Sequence, residues 1–359
     1  MADLLARNSH GRLVAAALAG AWRSSPLPLT VSTEELVRVA PLLLGSGAGA
    51  LGWWRVRDSD LRSSAPALEL QQAYRLFTLH AALHQREITQ VFTFLRSAGV
   101  EPILVKGWAA ARVYPEPGLR PYGDIDLCVR PEDYLTAQEV LRSPEGRGYW
   151  VDLHAGITDL GHRYLDDLYA RSQLVRLGEV DVRVLGPEDH LALLCVHMLR
   201  HGAWRPLWLC DIAATVESRP TDFNWDRCLG SNPRRADWVA CSIGLAHQLL
   251  GAEVDDTPVA WRAKRLPGWL IPNVLKQWET PYPTYQAPMR YPEPMATYLR
   301  HPTGVFLALR KRWPNAIEAT ASVGGPLNEL PRLPFQLAHC LSRTARFLTH
   351  LPTLLREQG

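Results

Sequence analysis

The feature that most constrains this chain is a pair of aspartates, Asp124 and Asp126, in a segment that alternates polar and apolar residues. Such alternation predicts a half-buried β-strand, in which residues two apart point to the same face. The two carboxylates would then repel each other on one side of the sheet, while Ile125 and Leu127 face the core. A divalent cation with oxygen ligands would relieve that repulsion. The alternative is an exposed sheet edge that carries two solvated acids.

A short apolar run upstream of the acid pair ends at Lys106 and Gly107, and a predicted helix follows. A glycine at this point lets backbone amides approach a phosphate, and the helix N-terminus adds positive potential. Lys106 would hold phosphate as a point charge. Arg120 precedes Asp124 by four residues and would contact a phosphate or the acid pair. The alternatives are a lysine at a strand end and an arginine in a surface loop.

A third carboxylate, Asp152, lies in a later alternating segment, on the same predicted face as His154. If this strand lies beside the strand of Asp124, three carboxylates converge. Two of them would bind metal, while the third also accepts a proton from an attacking hydroxyl. The alternative is a strand with one solvated face. Asp181, on another alternating strand, is the rival for the third position.

The pattern of the whole chain predicts three parts: a helical region over 1–95, an α/β core with a mixed sheet over 96–186, and a helical domain over 187–359. Ser32, followed by acidic residues, predicts a helix start. The periodic apolar residues from Leu68 to Leu95 predict one long helix that packs against another element.

Composition excludes several classes of protein. With 39 Lys and Arg against 36 Asp and Glu, the net charge of +3 indicates no polybasic surface for nucleic acid; it permits tRNA as a partner but does not favour it. Apolar residues make up 47% of the chain, so extensive disorder is excluded. Six cysteines without a CxxC pair favour reduced, buried thiols, and no apolar window is long enough for a membrane span. We therefore expect a cytoplasmic protein.

The C-terminal tail from Leu333 to Leu355 interleaves leucine, phenylalanine and arginine. This pattern predicts an amphipathic, basic helix. Such a helix docks on the body of its own protein, or it contacts a partner protein or a membrane surface.

In three segments the chain resembles the nucleotidyltransferase superfamily with a polymerase-β-like catalytic core: Leu104-Val-Lys-Gly-Trp108, Arg120-Pro-Tyr-Gly-Asp124-Ile-Asp126-Leu127 and Val151-Asp-Leu-His154. Within that superfamily it is similar to an uncharacterised bacterial branch that carries an L-K-G segment in place of the usual glycine-serine. Two later segments, Leu193 to Gly202 and Trp208 to Ile212, are similar to the helical part of that family, so the similarity covers about residues 70 to 220.

The resemblance implies an α+β fold, a mixed sheet flanked by N- and C-terminal helical regions. It implies that the turn at Lys106 and Gly107 cradles a nucleoside triphosphate, and that Asp124 and Asp126 bind two Mg²⁺ ions, with Asp152 as the third acid. The implied reaction is in-line attack of an acceptor hydroxyl on the α-phosphate, with release of pyrophosphate. We expect ATP as the donor and a small molecule or a peptide as the acceptor.

Trp108 departs from the family pattern, because it provides no hydroxyl where the glycine-serine motif has one. Two other functions therefore stay open. One is a toxin-like or regulatory nucleotidyltransferase that modifies a protein or tRNA. The other is a binding or scaffold protein that kept the fold and lost catalysis, although the three aspartates would then form a costly cluster of like charges.

Overall fold

The computed structural model describes residues 9–161, 163–280 and 313–356, with side chains up to Ala345. Within these residues, a mixed five-stranded sheet lies between helices that precede and follow it in the chain. This arrangement confirms the predicted α+β architecture.

The N-terminal helices end in one long helix that leads to the sheet. Ser32 forms a capping box, in which its hydroxyl accepts a hydrogen bond from the Glu35 amide (3.2 Å) and the Glu35 carboxylate accepts one from the Ser32 amide (2.9 Å). The helices are α1 (His10–Leu18), α2 (Thr33–Ser46), α3 (Gly49–Val56) and α4 (Ala65–Ser97).

The long helix α4 is present as predicted, but only part of its apolar pattern is buried. Its inner face carries Leu70, Ile88 and Phe92. Four leucines that we expected to pack are instead about half exposed, on the opposite face: Leu68, Leu76, Leu79 and Leu83.

The sheet has the order β3-β2-β1-β5-β4, and it mixes parallel and antiparallel pairs. Strand β2 is antiparallel to β1 and parallel to β3, while β5 is parallel to β1 and antiparallel to β4. Short helices connect some of the strands. The elements are β1 (Ile103–Leu104), α5 (Trp108–Ala111), β2 (Ile125–Val129), α6 (Tyr134–Arg142), β3 (Val151–Ala155), α7 (Leu165–Arg171), β4 (Gln173–Leu177) and β5 (Val180–Val184).

After the sheet the chain is helical again in the part that the structure describes. Helix α8 is buried along most of its length and packs against α9, α11 and α14. The elements are α8 (Pro187–Arg200), α9 (Pro206–Glu217), α10 (Trp225–Leu229), α11 (Pro233–Leu250), α12 (Ala260–Ala263), α13 (Leu270–Gln277), α14 (Ala316–Ser322) and α15 (Leu333–Arg356).

Two apolar clusters hold these layers together. The smaller one lies between one face of the sheet and the C-terminal half of α4, and it includes Phe92, Leu104 and Ile125. The larger one begins on the opposite sheet face, at Ile103 and Cys128, and contains residues of the N-terminal and C-terminal helices as well. It therefore crosses the boundaries of the three predicted domains, whose division stays a prediction.

All six cysteines are free thiols, and five of them are buried. No helix in the described part of the chain combines the length and the apolarity that crossing a bilayer requires.

Candidate active site

The register between β2 and β3 brings two of the predicted acids together. Asp126 lies directly opposite Asp152 in the parallel pair, and Cys128 lies opposite His154. Because residues two apart share a face, Asp126, Asp152 and His154 project from the same side of the sheet. Ligand atoms of these three residues lie within 4.8 Å of one another.

The two acids differ in their surroundings. Asp126 is 5% exposed, and its carboxylate forms an ion pair with the Lys106 ammonium, with Nζ 2.9 Å from Oδ1. Asp152 is about half exposed, and its Oδ2 lies 3.1 Å from His154 Nε2. One carboxylate is thus fixed by a cation inside the protein, whereas the other faces solvent beside an imidazole.

Asp124 immediately precedes β2, beside this group but outside it. Partial burial of its carboxyl group and the neighbouring charge of Asp126 raise the pKa of Asp124. The charge of Asp152 acts in the same direction, and that of Lys106 opposes it. The charges of both other acids therefore act on Asp124, and the three carboxylates form the like-charge cluster that the sequence predicts.

The turn that carries Lys106 lies against the start of β2. Gly107 has φ +59°, a backbone conformation that residues with a side chain rarely adopt. A Cβ atom at this position would lie 3.4 Å from the Asp124 carbonyl oxygen. The predicted phosphate turn and the acid pair are therefore in contact through the backbone.

Trp108, the departure from the family pattern, points away from this turn. Its side chain is 6% exposed and belongs to the apolar cluster beneath the sheet, with Leu104 and Ile125. Position 108 therefore contributes to packing rather than to the polar surface of the turn.

The structure places Arg120 in a different environment from the other predicted residues. Its guanidinium is buried and paired with Asp211 on α9, with Nη2 2.7 Å from Oδ2. The Tyr114 hydroxyl donates to the same carboxylate at 2.8 Å. Burial alone would lower the pKa of Arg120, but the charge and hydrogen bonds of Asp211 outweigh it and raise that pKa. Because the Asp211 carboxylate already binds its guanidinium, Arg120 holds the loop before Asp124 in position.

Asp181 lies at another part of the sheet. Strand β5 is separated from β2 by β1, and Asp181 is opposite Arg176 in the hairpin with β4. Leu104 is opposite Val184, three residues after Asp181, so Asp181 is about 10 Å along the strand from that level. The register thus brings Asp152, and not Asp181, beside Asp126.

Aromatic rings from the C-terminal helices lie near Lys106. The rings of His201 and Trp208 are 5.4 Å apart, and Trp208 also contacts His197 and Trp204 at 4.9 and 5.0 Å. Burial lowers the pKa of His201 to about 4, with smaller contributions from His197 and Lys106. His201 is therefore neutral at physiological pH, and its ring is close enough to Lys106 to feel that charge.

The donor set can accommodate a divalent cation. Two carboxylates and an imidazole converge, and both donor types bind divalent ions in proteins. Asp124 would add a further carboxylate next to them. In the sequence pattern His154 shares the face of Asp152, but it is not among the predicted metal ligands. The alternation of Val151 to His154 was the signal that could have added it.

Comparison with protein-family models finds a family of uncharacterised nucleotidyltransferases, whose model matches residues 47–251. The match covers more than half of the chain, including α4, the whole sheet, and the helices through α11. No curated protein and no solved structure gives a significant match to the chain.

Proposed function

Because the chain belongs to this family of uncharacterised nucleotidyltransferases, we propose that it transfers a nucleotidyl group from a nucleoside triphosphate, with ATP as the first candidate, to a hydroxyl group of a small molecule or a peptide. The observation that carries the proposal is the pairing of Asp126 with Asp152 in register, with Lys106 bonded to Asp126 and the Gly107 turn beside Asp124.

In the reaction, the acceptor oxygen attacks the α-phosphorus, and the bond to the pyrophosphate oxygen breaks. Asp152 is the more exposed acid and accepts the proton of the attacking hydroxyl. Lys106 and the backbone at Gly107 bind the triphosphate. The carboxylates of Asp124, Asp126 and Asp152 would hold a divalent ion, Mg²⁺ in this proposal, which would stabilise the negative charge that develops on the phosphates.

The ring cluster of His197, His201, Trp204 and Trp208 provides flat surfaces on the helical side of the site. Neutral aromatic rings stack on nucleobases with little dependence on the base. We assign this cluster to contact with the base or the acceptor. The free thiols fit a reducing compartment, so we place the reaction in the cytoplasm.

The test is calorimetric titration of the purified protein with ATP, CTP, GTP and UTP, each with and without Mg²⁺. We expect one nucleotide to bind in a metal-dependent manner. Asp126→Asn should weaken that binding tenfold or more, equivalent to about 1.4 kcal/mol, because the charge that attracts the cation is lost.

The matched control is Asp181→Asn, which removes an aspartate from the same sheet outside the site. Its nucleotide affinity should stay within about twofold of the unmodified protein. Equal losses of nucleotide affinity in the two variants would contradict the metal assignment. So would a nucleotide affinity that is unchanged in Asp126→Asn. Absence of binding for all four nucleotides would favour the scaffold function.

A further inference from the structure

The imidazole of His154 distinguishes this site from one built of carboxylates alone. His154 lies on the strand of Asp152, two residues further along, and it is 40% exposed. Its Nε2 atom lies against the Asp152 carboxylate. The contact has two physical interpretations: a hydrogen bond that orients Asp152, or two donors that share one ion.

The contact between His154 and Asp152 has the length expected between two neighbouring ligands of one ion. Two ligands at right angles, each roughly 2.1 Å from a metal, are about 3 Å apart, and ligands on opposite sides are about 4.2 Å apart. His154 Nε2 and Asp152 Oδ2 are 3.1 Å apart, and the group with Asp126 spans at most 4.8 Å. Small side-chain rotations would therefore place all three donors on the same ion.

The type of donor then distinguishes Mn²⁺ from Mg²⁺. Mg²⁺ prefers oxygen ligands and usually keeps several waters, with one or two carboxylates and substrate phosphates. An imidazole nitrogen favours a first-row transition ion over Mg²⁺, and among these ions Mn²⁺ is the one that, like Mg²⁺, is suited to carboxylate oxygens. A preformed site with two carboxylates and one imidazole should thus retain Mn²⁺ before any nucleotide supplies phosphate oxygens.

We propose that His154 is a direct metal ligand, and that Asp126, Asp152 and His154 bind Mn²⁺ more tightly than Mg²⁺ in the nucleotide-free protein. This inference names the ion that the proposed nucleotidyltransferase site holds before nucleotide binds, and in that respect it rests on the proposed function. Its test uses the metal alone, so its result does not depend on nucleotide binding.

The first measurement is electron spin-echo envelope modulation of the full-length protein with substoichiometric Mn²⁺ and no nucleotide. A directly bound imidazole should give a ¹⁴N coupling, which should disappear in His154→Gln. The matched control is His80→Gln, which changes an exposed histidine on α4 outside the group and should keep the coupling. Bound Mn²⁺ without ¹⁴N coupling, or a coupling that persists in His154→Gln, would overturn the inference.

The second measurement separates a ligand from a residue that only orients Asp152. Calorimetry with Mn²⁺ and with Mg²⁺ should show tighter binding of Mn²⁺, and His154→Gln should weaken Mn²⁺ binding by about tenfold or more while changing Mg²⁺ binding less. A purely orienting role predicts equal losses for the two ions, and that result would overturn the inference. So would a lack of Mn²⁺ preference in the unmodified protein. If the inference about His154 fails in either way, nucleotide binding that depends on Mg²⁺ would still support the proposed function.

Discussion

Two basic residues near the site, Lys106 and Arg120, are used in opposite ways. Lys106 is 23% exposed and pairs with an acid of the proposed catalytic set, so an incoming cation or phosphate can rearrange the pair. Arg120 forms a buried two-point contact with Asp211, and breaking such a contact leaves an uncompensated charge in the interior. The same type of charge is therefore available for binding at one position and structural at the other.

His190 on α8 is a buried titratable residue close to that structural pair. It is 3% exposed, and its Nε2 atom has no hydrogen-bond partner in the described part of the chain. Burial, together with the charges of Arg112 and Arg120, lowers its pKa to about 4 against the opposing charge of Asp211. The imidazole is therefore held neutral in the folded protein.

This shift predicts a pH-dependent stability. The unfolded chain binds the proton near pH 6.5, but the folded protein does so only near pH 4, so stability is present above pH 6.5 and is lost as pH falls towards 4. Over that window His190 should contribute a slope of about 1.4 kcal/mol per pH unit. Measurement of the unfolding free energy from pH 4 to 7 should show this slope reduced in His190→Gln. It should be unchanged in His80→Gln, and equal slopes in all three proteins would refute the assignment.

Among the helices, α4 contacts both the N-terminal helices and the sheet. The loop before Asp124 also packs on α4, at Gly118, where a Cβ atom would lie 2.8 Å from the Thr78 amide nitrogen. The close approach lets the loop pass over the helix before it enters β2. The position of the acid pair thus depends on a contact that only glycine permits.

Replacing Gly118 with alanine should therefore destabilise the protein by about 1–3 kcal/mol, because the backbone of α4 cannot yield to the added methyl group. Gly148→Ala is the control, since a Cβ atom at Gly148 meets nothing within 4 Å. That variant should stay within about 0.5 kcal/mol of the unmodified protein. Chemical denaturation measures both. A Gly118→Ala protein as stable as the control would show that the loop shifts without cost.

The C-terminal helix α15 is present as predicted, and it contacts α14. His339 is buried in the docked half, while Leu333, Leu337 and Leu341 remain exposed. The predicted apolar and basic positions after Ala345 lie outside the side chains that the structure describes. Contact of this helix with a partner or a membrane surface stays a prediction.

At the scale of the whole molecule, the N-terminal and C-terminal helices share one apolar core. Trp22 and Arg23 both donate to the Glu217 carboxylate at the end of α9, at 2.8 Å and 2.7 Å. Burial would raise the pKa of Glu217, but the hydrogen bonds of Arg23 and Trp22 outweigh it and lower that pKa. Regions distant in sequence are thereby joined by packing and by charge.

This shared core predicts that residues 9–64 and the helices after residue 187 unfold together, because neither can expose its apolar face alone. Hydrogen exchange followed by mass spectrometry at increasing denaturant should give one transition for peptides from both regions. Earlier loss of protection confined to residues 9–64 would show that the N-terminal helices fold as a separate unit.

The local structure and the family could both be predicted from patterns within the chain. Three kinds of signal depend only on neighbours in the chain: helix starts such as Ser32, the strand alternation of Asp124 to Val129, and the grouping of three motifs. The α+β core and the nucleotidyltransferase resemblance could therefore be predicted, and both were confirmed.

The order of the strands in the sheet and the pairing of charged residues, in contrast, depend on how the chain packs in three dimensions. The register of β2 and β3 selected Asp152 over Asp181 and brought His154 to the same place. The pairing of Arg120 with Asp211 joins residues 91 positions apart. Such contacts arise from long-range packing, which no local pattern encodes.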